Sequence, residues 1–113
     1  MECIFCRIAA GEIPGDIVHQ DKELIAFRDI NPQAPTHILI IPKSHIASMR
    51  ELTGKQQALM GRLILLANEL AVKEGISASG YRLSVSTGAD GGQLVPHIHF
   101  HLLGGRKLDD MLG

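Results

Sequence analysis

The chain has 113 residues, enough for one domain that buries a core without disulfide staples. It is 45% hydrophobic and 20% charged, with a formal net charge of −1 and no block of Lys or Arg. That balance excludes the basic footprint that a nucleic-acid backbone demands, while a small anion needs only a few local donors. The longest apolar stretch, around residues 63–66, is far short of the roughly 20 residues that span a bilayer, so neither nucleic acid nor membrane is expected as a partner. The opening MECIFCRIAAGEIP has no basic lead and no long apolar core, which predicts no secretory leader. Two cysteines, Cys3 and Cys6, are too close for a useful disulfide loop. They predict a cytoplasmic protein whose paired thiols bind metal or do redox chemistry.

In chain order, residues 4–10 predict a short helix or turn, closed by Gly11 and by the Ile13-Pro14-Gly15 punctuation. Ile17–Gln20 and residues 23–29 predict two strands joined by a tight turn at Asp21-Lys22. Pro32 and Pro35 mark a loop, and residues 37–41 form a strongly apolar strand closed by Pro42. Thr53, with Gln56 three positions on, carries a capping-box pattern for one long helix. Leu59, Leu63, Leu66, Leu70 and Ala71 give that helix one apolar face, and Gly75 ends it. Residues 81–86 and 97–103 predict two further strands around the loop Thr87-Gly88-Ala89-Asp90-Gly91-Gly92-Gln93. Hairpins with one long helix predict a single α+β domain with an antiparallel five-stranded sheet.

The last strand carries His97, His99 and His101 in strict alternation, with Ile98, Phe100 and Leu102 between them. Alternation in a strand puts the three imidazoles on one face and the apolar residues on the other. At a rise of about 3.3 Å per residue, successive histidines stand about 7 Å apart and the outer two about 13 Å apart. All three therefore cannot share one ion or one atom, and they need separate tasks. The glycine-rich loop just before them suits a phosphate, since glycines let backbone N–H groups approach closely.

The pattern His-φ-His-φ-His-φ-φ resembles the histidine-triad (HIT) family, and within it the Hint-like branch. The resemblance runs through Ile4-Phe5, Gly11-Glu12-Ile13-Pro14, Ala26-Phe27-Arg28-Asp29-Ile30, Pro32-Gln33-Ala34-Pro35-Thr36-His37, Pro42-Lys43-Ser44-His45 and Asp90-Gly91-Gly92-Gln93. It implies a homodimer whose sheets join, and purine nucleotide (AMP- or GMP-like) chemistry without a catalytic metal. By that resemblance His99 attacks the α-phosphorus to give a nucleotidyl-histidine, oriented by the His97 backbone carbonyl. His101 is the phosphate and leaving-group contact, and His37 completes the catalytic cluster. Asp29 is the ribose anchor, and Phe5, Ile8, Phe27 and Ile30 resemble the base pocket, although ordinary core would also account for the apolar ones.

Gly92 and Gln93 are carried over as phosphate-side contacts. Ser86 and Leu94 occupy nucleotide-contact positions where the family commonly has Asn and Ser, which shortens one reach and removes one hydroxyl. Some bacterial relatives complete a zinc site from the cysteine pair, a histidine after Pro-Lys and the first triad histidine. Here those are Cys3, Cys6, His45 and His97, a set for structural zinc. The implied activity is hydrolysis of nucleoside phosphoramidates to the monophosphate and an amine. Cleavage of dinucleoside polyphosphates, or a nucleotide-binding interaction role with incidental catalysis, stands as the alternative.

Overall fold

A computed structural model describes residues 3–111. In chain order it holds α1 (Ile4–Ala9), β1 (Ile17–Gln20), β2 (Leu24–Arg28), β3 (Thr36–Pro42), α2 (Gln57–Lys73), β4 (Tyr81–Val85) and β5 (Phe100–Gly104). The strands form one five-stranded sheet in the order β1-β2-β3-β5-β4, and every neighbouring pair is antiparallel. The α+β class, the single sheet, the long helix and the short N-terminal helix all agree with the sequence. Among the described residues no helix is long and apolar enough to cross a membrane.

The capping box at Thr53 and Gln56 forms as expected, but it closes a 3-10 turn, Gly54–Gln56, that leads directly into α2. Gly75 follows the helix with φ +75°, a conformation open to glycine and costly for residues with a Cβ. α2 buries Leu63, Leu66, Ala67, Leu70 and Ala71 against one face of the sheet, each leucine contributing roughly 1.5–3 kcal/mol at most.

Strand parity divides the core. Leu24, Ala26, Ile38, Ile40 and Leu102 point toward α2. Ile25, Phe27, Leu39 and Ile41 point to the opposite face, where they meet Phe5 and Ile8 of α1. On that second face the register places Phe27 opposite Leu39, and Leu39 opposite His101. The long helix seals one side of the sheet; the six-residue α1 covers only part of the other, and the histidines emerge there.

The fifth strand is shorter than its sequence predicts. Hydrogen-bonded pairing begins at Phe100, and His97 lies in a bend. Two backbone bonds are the cause: the Ile98 N–H donates to the Ile46 carbonyl at 2.6 Å, and the His97 N–H turns back to Val95 at 2.9 Å. These bonds replace the ladder that a strand from residue 97 would have made. Ile98 and Leu102 are still fully buried, as the alternation requires.

Candidate active site and metal cluster

A cavity of about 290 Å³ opens on the face that α2 leaves uncovered. Ile4, Phe5 and Ile8 of α1 form one wall, and Phe27 and Leu39 form the floor. Asp29, Ile30, Leu94, His99 and His101 also line it, so most of the expected nucleotide contacts come together here. An apolar slot with a few convergent polar groups is the usual form of a small-ligand site. Ile30 and Leu94 are each 91% exposed, which places two large apolar side chains in water at its mouth.

Among His37, His97, His99 and His101 the hydrogen bonds assign each tautomer, and backbone groups fix three of the four. His99 is buried, and its Nδ1–H donates to the His97 carbonyl at 2.7 Å, leaving the Nε2 lone pair free. The acceptor is the one the family resemblance implied. At His37 the arrangement is reversed: the Gln33 backbone N–H donates to Nδ1 at 3.0 Å. The proton of neutral His37 is therefore on Nε2, which donates to His101 Nδ1 at 2.9 Å. His101 in turn carries its hydrogen on Nε2.

The His99 and His101 ring centroids lie 5.1 Å apart, closer than their backbone spacing because the side chains lean together. Burial, reinforced by His99 and His37, holds the His101 pKa down to about 4, and burial also lowers that of His37. Both are neutral near pH 7. Asp29 accepts the Asn31 N–H at 2.9 Å on Oδ1, and its Oδ2 lies 3.4 Å from His37 Nε2. The carboxylate is thus oriented on the cavity wall with acceptor capacity to spare.

Among the described residues, two groups of side chains are close enough to share a metal ion: Cys3, Cys6, His45 and His97, and Asp29, His37 and His101. Their chemistry differs. The His97 Nε2–H donates to the Pro42 carbonyl at 2.8 Å, so its Nδ1 lone pair faces the sulfurs. That one lone pair lies 3.3 Å from Cys3 Sγ and 3.5 Å from Cys6 Sγ, and it cannot accept a full S–H bond from both. His45 Nδ1 is 3.3 Å from Cys6 Sγ.

Zn–S and Zn–N bonds of about 2.3 and 2.0 Å at a tetrahedral angle separate sulfur and nitrogen by about 3.5 Å, so the set fits zinc. Without a cation, burial and then the neighbouring Cys3 push the Cys6 thiol pKa up. The second group does not fit a metal. Its His37 Nδ1 lone pair is already taken by a backbone N–H, so a metal at Nε2 would need a ring with no proton at all.

Ser86, Gly92 and Gln93 do not line the cavity. Gln93 instead accepts the Gly88 N–H at 2.9 Å, and its side-chain amide donates to the Ala47 and Val95 carbonyls at 2.7 and 2.9 Å. The Gly92 and Gln93 N–H groups close turns onto Ala89 and Gly88. Gly91 has a steric reason: a Cβ there would overlap the Thr87 carbonyl oxygen. In this conformation the loop is braced on itself.

Sequence reasoning missed Gln33 and Pro42, whose contributions are a backbone N–H and a carbonyl that no residue type announces. It also missed the paired bonds from Arg28 to Glu74, both 2.8 Å, which tie the end of β2 beside Asp29 to the end of α2.

The HIT domain family matches residues 10–108, and the chain belongs to that family. It is 52% identical to the purine nucleoside phosphoramidase of Escherichia coli K12 over 98% of this chain and 93% of the relative. A HIT family hydrolase from Legionella pneumophila Philadelphia 1 superposes with a TM-score of 0.97 at 50% identity, covering 99% of this chain and all of that one. A histidine triad protein from Clostridium difficile gives a TM-score of 0.95 at 41% identity, over 98% of this chain and 96% of the other.

Proposed function

We propose that the chain is a single-domain nucleotide hydrolase that cleaves purine nucleoside phosphoramidates to the nucleoside monophosphate and an amine. The observation that carries this reading is the 2.7 Å bond from His99 Nδ1–H to the His97 carbonyl, which leaves a nucleophilic Nε2 on a residue of the cavity wall. Kinship with a purine nucleoside phosphoramidase at 52% identity supports the substrate class.

In this mechanism Phe5, Ile8, Phe27 and Ile30 hold the base, and Asp29 accepts from the ribose hydroxyls. His99 Nε2 forms a bond to the α-phosphorus as the P–N bond to the amine breaks. The departing nitrogen is protonated from solvent, and the lone pair it gains as the P–N bond breaks accepts a hydrogen bond from His101 Nε2–H. One water then cleaves the nucleotidyl-histidine, its oxygen bonding phosphorus and a proton returning to solvent, which releases the monophosphate and restores neutral His99. No step needs a metal. Ser86 stands outside the cavity and Leu94 at its mouth, so the leaving-group side is where this chain departs from its family.

We assign structural zinc to Cys3, Cys6, His45 and His97, a role that also suits a reducing, cytoplasmic setting for two free thiols. A homodimer is proposed from the open edge of β4 and from Ile64, Leu65 and Val72, which expose apolar surface on the outer face of α2. Light scattering in solution checks it, and a monomer at micromolar concentration would refute it.

Turnover of adenosine 5'-phosphoramidate by wild type and His99→Ala tests the main reading, and equal rates would sink it. A diadenosine polyphosphate cleaved faster than the phosphoramidate would move the assignment to the alternative substrate class.

A further inference from the structure

We infer that the Cys3, Cys6, His45 and His97 cluster is a positioning clamp for the nucleotide site: a bound zinc ion fixes α1, and through α1 the apolar wall that grips the base. The inference rests on the nucleotide-hydrolase reading of the cavity.

α1 has six residues, fewer than the ~12–15 at which an isolated helix becomes even marginal in water. It must be held by tertiary ties, and two of its possible ties are thiols. Cys3 is its N-cap, with Sγ accepting the Cys6 N–H at 3.4 Å, and Cys6 lies in its first turn. Between them stand Ile4 and Phe5, both on the cavity wall. The Phe5 ring meets His99 edge-on at 5.1 Å and Phe27 at 5.6 Å. A cation drawing both sulfurs toward His45 and His97 therefore pins this wall from both sides.

The nucleophile's acceptor is secured separately. His97 Nε2–H bonds the Pro42 carbonyl and the Ile98 N–H bonds Ile46, and neither bond uses a ligand atom of the cluster. Loss of the cation should then loosen substrate binding while sparing the orientation of His99. A merely structural zinc would instead lower folding stability with KM unmoved.

The test compares three preparations of the full chain: zinc-loaded, chelator-stripped, and stripped then reloaded with Zn²⁺. His45→Ala serves as the mild variant, since the His45 ring is exposed and its partners are Cys6 and His97. The readouts are zinc content, amide hydrogen exchange over residues 4–9, the Kd for AMP, and KM and kcat on adenosine 5'-phosphoramidate.

Stripping is expected to speed exchange in α1 and to raise both Kd and KM by about tenfold, with kcat within about threefold, and reloading should reverse all of it. His45→Ala should lie on the stripped side. The clamp is overturned if no preparation binds zinc, if zinc leaves with exchange and AMP affinity unchanged, or if kcat falls with KM constant. Absent turnover in every form would refute the hydrolase reading instead, with exchange and AMP binding still deciding the clamp. AMP that binds neither form would overturn both.

Discussion

Two imidazole clusters flank His99, and the same side chain behaves oppositely in them. Beside the thiols, the Pro42 carbonyl takes the His97 Nε2–H, so a lone pair is presented to whatever sits between the sulfurs. On the other side, beside Asp29, the Gln33 N–H takes the His37 Nδ1 lone pair, so an N–H is presented to His101 instead. One cluster thereby offers a lone pair to a cation, and the other is a chain of hydrogen-bond donors. Proximity alone does not separate them, because both groups could enclose an ion. The backbone partner of each ring decides, and it does so at the cost of one hydrogen bond apiece.

His99 lies between the two, and its removal has the largest expected effect. His99→Ala should lower kcat by at least about a thousandfold, as for other enzymes that lose their nucleophile, with AMP still bound. Turnover within tenfold of wild type would mean that neither cluster serves a histidine nucleophile. The next effect separates the clusters from each other. His37→Ala removes the donor that fixes the His101 tautomer and should cut kcat about ten- to a hundredfold, leaving zinc content unchanged. If zinc content fell with activity, the two clusters would be one coupled unit and the contrast between them would fail.

A smaller effect concerns the loop that leads into the triad. Gln93→Ala deletes three hydrogen bonds that brace it and should cost about 1–3 kcal/mol in urea unfolding. A stability loss under a few tenths of a kcal/mol, paired with a large loss of AMP affinity, would mean that Gln93 serves the phosphate rather than the loop.

These contrasts also mark how far the sequence could be read. The alternation of His97, His99 and His101, the capping box at Thr53 and the apolar stripe of α2 are periodic patterns of side chains, and periodicity is visible in one dimension. So is the pairing of Cys3 and Cys6. The start of β5 was placed three residues early because the Ile98–Ile46 bond joins segments far apart in sequence. The phosphate-side role of Gln93 comes from the family resemblance alone, and its hydrogen bonds to the Ala47 and Val95 carbonyls are contacts that no residue type announces. The tautomers were least accessible, apart from the His99 acceptor supplied by family resemblance. Pro42 and Gln33 act through main-chain groups that every such residue possesses.

The smallest predicted effect tests the His37–His101 cluster through acidity. His101 has a folded pKa of about 4, against an ordinary value of 6.5. Between those values the unfolded chain binds a proton that the native state refuses, so stability falls as the pH drops through this window. Its contribution is whole above pH 6.5, and below about pH 4 the native state takes the proton too and the slope ends. One such group gives at most ~1.4 kcal/mol per pH unit. Glu74, held low by Arg28, also weakens the fold in acid, so the comparison must be internal. His101→Gln keeps the Glu74 contribution and removes the histidine's. Urea unfolding at pH 8, 7, 6 and 5 should show wild type losing about 1 kcal/mol per unit more than the variant below pH 6, with almost no difference in slope between pH 8 and 7. Equal slopes throughout would mean that His101 protonates readily in the folded state. A charged His101 would then have no lone pair to accept the His37 hydrogen, and the His37–His101 cluster would lose the tautomer order that sets it apart from the thiol side.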